Sequence, residues 1–324
     1  MSLLVVCDHD RGTLAEASLE ALAFGRPLAA SAGLEMAAVV VGEGAESAAV
    51  DLAAHGASTV HVASHELLVD FGPEAWGETV TQLVRSSDAK VVLACGTDRG
   101  NEVMAHVAAR LDHPFVANCR SVEHGAGDWT MTRVQWGGSL LEDISLTAEV
   151  VLVTVAHHAV ESALADAPAS GVVVDFRPDL DAALAHTIVA DRVVLTRGVT
   201  LSTAPVVVGG GRGVGSAEAF GPLEELAGLL GGVVGCSRAV TNNGWRPHSD
   251  QVGQTGTRIA PDIYIASGIS GAIQHWVGAM AAKNILAINT DSEANMVARA
   301  GHAVIGDLHL VIPAVIDEIR RRRG

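Results

Sequence analysis

The sequence predicts an α/β protein of two doubly wound, mostly parallel-sheet domains, the second the smaller, and three observations carry that prediction. Short β-branched runs alternate with Ala-rich helical stretches. The alternation breaks near residue 115 and restarts at Pro205. At 324 residues the chain is long enough for two domains of ordinary size, each with its own core.

The elements follow in order. LLVVC from residue 3 precedes a helix over Thr13–Ala32, MAAVVV one over Ala45–Ala54, STVHVA one over Pro73–Ser86, and KVVLAC one over Asn101–Leu111. The strands are apolar throughout rather than alternating, the pattern of a parallel sheet covered on both faces and joined by right-handed crossovers. The rhythm breaks near residue 115. Between Trp129 and Val155, WTMTRVQWGG and the runs after it read as consecutive strands, so antiparallel strands are expected at one edge of the first sheet. The most apolar stretch, Glu149–Val160, carries two histidines and falls short of the ~20 residues of a membrane span, so it reads as a buried strand.

Asp175–Ala204 is more charged and holds no clean strand–helix unit. It contains the expected connection, set at residues 191–204, between an N-terminal domain over 1–190 and a second over 205–324. The second series has strands at Val206–Val208, Gly232–Gly235, Ile263–Ala266, Ile285–Ile288 and Ala303–Ile305. Its helices are expected at Ala217–Leu230, Gly271–Ala281, Glu293–Ala300 and Leu308–Arg322. Ligands of such sheets sit beyond the carboxyl ends of the strands.

Composition narrows the function. Hydrophobic residues make up 49% and aromatic ones only 3%, so the cores are built from Ala, Val, Leu and Ile. A formal net charge of −16 repels a polyanion over most of the surface, which argues against nucleic acid as partner. The start, MSLLVVCDHD, has no basic region and turns acidic early, so no targeting segment is read there and a cytoplasmic location, not inserted in a membrane, is expected. Cys7, Cys95, Cys119 and Cys236 are scattered singly and are expected to be free, buried thiols. The remaining histidines give little: His61-x-x-x-His65 stands at a strand end, there is no H-E-x-x-H and no nearby carboxylate trio, so no metal site is expected in the chain.

Three loops carry polar chemistry. GGGRGVGS, Gly209–Ser216, lies between strand and helix, where glycines let backbone amides approach a phosphate; Arg212 sits in its middle. It matches neither G-x-G-x-x-G nor the Walker motif, whose lysine is missing, and a Gly-rich turn is the alternative. CSRAVTNNGWRPHSDQVGQTGTRI, Cys236–Ile259, is too long to be a plain connection. Arg238, Gln251, Gln254, Thr255 and Arg258, interrupted by Gly253 and Gly256, suit a backbone folded over a planar polar ligand, a solvated loop being the alternative. In SGISGAIQHWVG, Ser267–Gly278, a helix is expected to start near Ser270, capped by it and carrying His275 in its first turn. Together the three loops outline one site for a long ligand with a diphosphate in its middle.

SRAVTNNGWRPHSDQVGQTG followed by IYIASGISGAIQHWVGAMAAKNILAINTD resembles the signature region of the electron transfer flavoprotein alpha subunit. The likeness is strong from Gly209 to about Val315; the first domain is similar mainly in layout and in phrases such as HVAARLDHPFV. It implies a smaller second domain that binds FAD and a heterodimer with a beta subunit. It also implies electron transfer from flavin dehydrogenases of the acyl-CoA dehydrogenase type, in fatty acid β-oxidation, to a membrane quinone oxidoreductase, with no substrate converted by the chain itself.

The resemblance further implies that Arg238 lies against the isoalloxazine, Thr255 bonds near N5, His275 reaches the C2 carbonyl oxygen and Gln254 faces the ring. Ser270, Gly271 and Gln274 would hold the ribityl and pyrophosphate portion with Arg212 close by, and Asn289 and Asp307 would reach the adenosine end. Ser237, Gln251, Gly253, Gly256 and Ala272 complete the expected cofactor contacts. Arg238 and His275 are expected to act as cationic donors that favour the negative charge of a one-electron-reduced ring, each by about 50 to 130 mV.

The chain departs from the family's usual wording at Asn242, at Thr257-Arg258 after QTG, and at Ser292–Met296, where SEANM stands near the expected adenosine end. A specialised electron donor would fit those changes. Two other readings remain at this point. A self-contained flavin- or nicotinamide-dependent oxidoreductase needs a proton-transfer group, for which His275 or His248 is present; a non-redox nucleotide-binding module needs none.

Overall fold

The computed structural model describes residues 1–324 apart from 126, 139, 190–198 and 324. It divides into two compact units, Met1–Val193 and Val194–Gly324.

In the first unit β1 (Ser2–Cys7) leads through a short hairpin, β2 (His9–Asp10) and β3 (Thr13–Leu14), into α1 (Glu16–Ala32). Then come β4 (Glu35–Val41), α2 (Ala45–Leu52), β5 (Thr59–Ala63), α3 (Pro73–Ser86), β6 (Ala89–Cys95) and α4 (Asp98–Leu111). The unit continues with β7 (Phe115–His124), β8 (Trp129–Gln135), β9 (Leu140–Leu146), β10 (Val151–Val155) and β11 (Val172–Phe176). They form one sheet in the order β11-β5-β4-β1-β6-β10-β7-β8-β9. Neighbours are parallel except β7-β8 and β8-β9, which make the antiparallel edge read from the sequence.

Burial explains the strand composition. Leu3 and Val5 enter the core on one face of the sheet, Leu4 and Val6 that on the other, so from Leu3 to Val6 neither face of β1 meets water. α3 starts on Pro73, where the missing N–H is not needed, and buries Trp76, Val80 and Leu83. All four cysteines are free and buried. Among the described residues no helix is long and apolar enough to cross a membrane.

Two expectations shift here. α1 begins at Glu16 rather than Thr13, because Thr13 and Leu14 pair back with Asp10 and His9. The charged stretch from Asp175 is not all connection: Asp175 and Phe176 close β11 against β5, and Leu180 is buried. Gln82 on α3 holds the next turn from both sides, donating to the Asp179 carbonyl at 2.8 Å and accepting from its amide at 2.9 Å. A single strand arriving without its own helix gives no alternating signal. Of the expected connection at 191–204, residues 191–198 lie outside the described residues.

The second unit contains β12 (Val206–Gly210), α5 (Gly221–Leu229), β13 (Val233–Cys236), α6 (Arg238–Asn242) and β14 (Ile263–Ser267). It closes with α7 (Ile273–Ala279), β15 (Asn284–Asn289), α8 (Asn295–Arg299), β16 (His302–Ile305) and α9 (Leu308–Arg323). The strands are all parallel in the order β13-β12-β14-β15-β16. The chain enters mid-sheet at β12, steps outward to β13, and returns past it to β14. This reversal opens a crevice at the carboxyl ends of β12 and β14. α9 buries Leu308, Ile312 and Ile316. Its arginines do more than complement the helix dipole: Arg320 pairs with Glu225 at 2.6 Å, and Arg323 donates to the Leu229 carbonyl at 2.6 Å, tying α9 to α5.

Candidate functional site

Five segments leave the carboxyl edge of the second sheet: Gly211–Ser216 after β12, Ser237–Ile259 after β13, Gly268–Ala272 after β14, the turn after Asn289, and Gly306–Asp307 after β16. All fifteen residues assigned from the sequence lie on these segments, at strand ends or in the first turns of the helices that follow.

The glycine loop serves a different purpose from the one its composition suggested. The amides of Gly211 and Gly213 donate to the carbonyls of Ser267 and Gly268, and those of Val214 and Gly215 to Gly211 and Arg212. Few donors remain for a phosphate. The glycines are needed for contact instead: a Cβ on Gly209 would stand 2.4 Å from the Tyr264 hydroxyl, and one on Gly211 would stand 2.2 Å from the Gly268 carbonyl oxygen. The loop is a backbone-to-backbone seam that holds the next segment in place, with Arg212 exposed on it.

That next segment carries the open donors. From Ile269 through Gln274, six consecutive amides have no acceptor among the described residues. Gly271, at φ +76°, turns the chain so closely past Met296 that a Cβ would lie 2.3 Å from the Met296 amide nitrogen, and that amide donates to the Ser270 carbonyl at 3.2 Å. Asn289 fixes the same segment, donating from Nδ2 to the Ile269 carbonyl at 3.1 Å while its Oδ1 accepts from the Asp291 amide at 3.1 Å. Ser270 does not cap the helix as expected. α7 starts at Ile273 with Ala272 in the capping position and no side-chain cap bond, which leaves the amides exposed to an external acceptor. Ser267 Oγ, at the end of β14 just before them, is buried and has no partner among the described residues.

The long loop after β13 is pinned at several points. Val252 N donates to the Cys236 carbonyl, Gln254 N to Gln274 O at 2.7 Å, and Ile259 N to Gly278 O at 2.8 Å. Gly253, Gly256 and Gly278 permit those approaches; a Cβ on Gly256 would sit 2.2 Å from the Gln251 carbonyl oxygen. Gln251 is turned inward: it is 2% exposed, its Oε1 accepts from the Thr241 hydroxyl at 2.7 Å and its Nε2 donates to Thr255 Oγ1 at 3.0 Å. Thr255 is exposed. With one lone pair taken by Gln251, its own O–H is free to donate outward. Arg246 braces the loop from below, bonding Glu224 at 2.6 Å and Asp250 at 2.8 Å.

Arg212, Arg238 and Arg258 are exposed and make no side-chain bond among the described residues. Arg238 opens α6 next to Ser237, which makes no side-chain cap. His275 differs from its expected role as a second cation. It is 6% exposed, and burial pushes its pKa down to about 4, so the imidazole is neutral at pH 7. Its Nε2 lies 2.8 Å from the hydroxyl of Tyr264, the single tyrosine of the chain, whose own ionisation burial pushes far up. Sequence reasoning missed Tyr264 because it sits inside an apolar strand, where it reads as core. Asp307 caps α9, its Oδ1 accepting from the His309 amide at 2.9 Å.

The geometry can be set beside known proteins. A family model described as electron transfer flavoprotein domain matches residues 3–181, and one described as electron transfer flavoprotein FAD-binding domain matches 200–280. The chain is 33% identical over 320 residues to an electron transfer flavoprotein subunit alpha of Thermoanaerobacterium thermosaccharolyticum, covering 98% of this chain and 97% of the relative. It is 36% identical over 323 residues to one of Mycobacterium leprae, covering 99% of both, and 35% identical to Protein FixB of Clostridium saccharobutylicum, covering 98% and 95%.

Proposed function

The chain belongs to the electron transfer flavoprotein alpha-subunit family, and from that premise we propose that its second unit holds FAD and that it serves as the FAD-binding half of a heterodimeric electron carrier. The observation that carries the reading is the run of six amides without acceptors, Ile269–Gln274, at the carboxyl edge where the sheet's strand order reverses. Such a run suits a diphosphate. The rest of the site fits the same cofactor: an outward-donating Thr255 and the unpaired Arg238 on one side, and Asn289 and Asp307 toward the far end of the strand row.

FAD, when bound, supplies the one-electron chemistry. The residues of this chain do the holding and tuning. Ser270, Gly271, Ala272 and Gln274 offer backbone donors to the diphosphate, with Arg212 as a nearby cation. Gln254, Gly253 and Gly256 shape the wall that faces the ring. Gln251 aims the Thr255 hydroxyl. Arg238 stabilises negative charge that accumulates on the ring. His275 keeps a neutral imidazole hydrogen-bonded through Nε2 to the Tyr264 hydroxyl, so it orients a hydrogen bond rather than adding a charge.

In this proposal the N-terminal unit, 1–190, provides the interface to a beta subunit, residues 191–204 connect it to 205–324, and the complex works in the cytoplasm. Electrons come from flavin dehydrogenases, with acyl-CoA dehydrogenases as the usual type and a specialised donor suited to the Asn242, Thr257 and Ser292–Met296 departures. They leave for a membrane quinone oxidoreductase. The test is co-expression with a beta-type partner, identification of the released cofactor and stepwise reduction. One FAD per alpha chain, reduced in two separable one-electron steps, is the expected result. A colourless nucleotide, or reduction in a single two-electron step, overturns it.

A further inference from the structure

A second cluster of chemistry-bearing side chains lies within the first unit. The turn that follows β10 carries His157 and His158, and the second turn of α1 carries Glu20. Their ligand atoms all lie within 4.8 Å of one another. We propose that Glu20, His157 and His158 form a binding site for one divalent transition-metal ion of the zinc class, which would clamp the turn after β10 onto α1.

The carboxylate is set up for it. Glu20 has a side chain only 5% exposed and pairs with no lysine or arginine among the described residues. Its Oε2 accepts from the His158 backbone amide at 2.7 Å, which fixes the carboxylate and leaves Oε1 to face both imidazoles, 3.1 Å from His158 Nδ1 and 3.7 Å from His157 Nε2. Donor atoms around a tetrahedral zinc, each about 2.0 to 2.2 Å from the metal, stand roughly 3.3 Å apart. The two carboxylate-to-imidazole spacings bracket that value.

The imidazoles are positioned too. His157 and His158 stack with ring centroids 3.7 Å apart, and His158 is held at φ +62°, a left-handed conformation that non-glycine residues seldom adopt. His158 Nε2 is buried without a partner among the described residues. In the metal-free chain the proton sits on Nδ1, shared with Glu20. When a cation takes the Nδ1 lone pair the ring carries its proton on Nε2, and the metal bond must offset both the hydrogen bond to Glu20 and the cost of that buried N–H. The locus is also electronegative: Glu16, one turn earlier on α1, accepts a hydrogen bond from Ser162 just past the histidines. Two imidazoles and one carboxylate suit zinc or cobalt rather than calcium or magnesium, and the partial exposure of His157, 21%, leaves solvent the fourth position.

The experiment is a cobalt titration of the EDTA-stripped, full-length complex, read by the visible d–d bands of four-coordinate Co2+ and by zinc competition. One Co2+ per alpha chain, displaced by one Zn2+, is expected. His157→Ala should abolish the bands and weaken binding by more than the ~10- to 100-fold typical of losing an outer-shell partner. His61→Ala should change neither. FAD content, measured in parallel, should be the same in all three proteins, which separates this site from the proposed flavin site. Absence of the bands, or bands that persist in His157→Ala, overturns the proposal. His158→Ala and Glu20→Gln serve as second variants; if either fails to fold, the part-exposed His157 still decides the matter.

Discussion

Gly271→Ala tests the amide run directly. Gly271 holds φ +76°, so alanine there costs about 1 kcal/mol in backbone strain before any contact is made. The new methyl would also stand 2.3 Å from the Met296 amide nitrogen, a backbone atom with no side-chain freedom to move aside. Restoring an ordinary contact needs a displacement of about 1 Å, which moves the Ile269–Gln274 segment against the bonds that Asn289 and Met296 make to its carbonyls. A shift of that size misaligns at least two amides from a diphosphate. At about 1.5 kcal/mol for each charge-assisted bond, FAD affinity should fall roughly 100-fold or more. The assay is fluorescence titration of flavin-free protein with FAD, alongside a melting curve. Gly231→Ala is the control: Gly231 is also left-handed, at φ +67°, but a Cβ there meets nothing within 4 Å. It should melt a few degrees lower and bind FAD normally. Equal FAD affinity in both variants would refute the assignment of the diphosphate to these amides.

Three further outcomes are expected. Arg238→Ala should retain FAD and lower its first one-electron potential by about 50 to 130 mV, measured by spectroelectrochemistry, since the exposed guanidinium has no other partner among the described residues; an unchanged potential removes Arg238 from the ring. His275, with a pKa of about 4 folded against ~6.5 unfolded, is neutral in the native state, so stability should be fully present above pH 6.5 and fall by about 3 kcal/mol as pH drops toward 4. In denaturant titrations His275→Gln should flatten that slope, and an undiminished slope would assign it elsewhere. Gln251→Leu and Thr255→Val should be non-additive in FAD affinity by at least ~0.5 kcal/mol, because the buried amide acts through the hydroxyl it holds; strict additivity would separate them.

Periodicity and punctuation made most of the fold legible. Pro73 and Ser86 bound α3 as read, and the strands of the second unit fall within a residue or two of their expected places. What escaped has physical causes. Thr13 and Leu14 look helical because the apolar pattern continues through them, but the Arg11-Gly12 turn lets them pair backwards. The two readings of the glycine loop, phosphate cradle and tight turn, stay open in the sequence because composition cannot distinguish a glycine that opens an amide to a ligand from one that admits a neighbouring backbone. The open amides lie instead in a segment with fewer glycines. Tyr264 and the inward turn of Gln251 depend on which face of an element meets which loop. The Glu20 cluster joins residues more than a hundred positions apart, beyond the reach of any spacing rule.

The four buried cysteines bear on how such a chain survives its own chemistry. Burial raises the pKa of Cys7, Cys95, Cys119 and Cys236 to about 12, so at pH 7 only roughly one thiol in 10⁵ is a thiolate. Reduced flavins leak electrons to oxygen and yield peroxide, which attacks thiolates first. A protein proposed to carry reduced flavin thus keeps every sulfhydryl in the form that peroxide attacks most slowly. Its thiols should all survive aerobic turnover, and thiol-directed labels should reach none of them until the fold is opened.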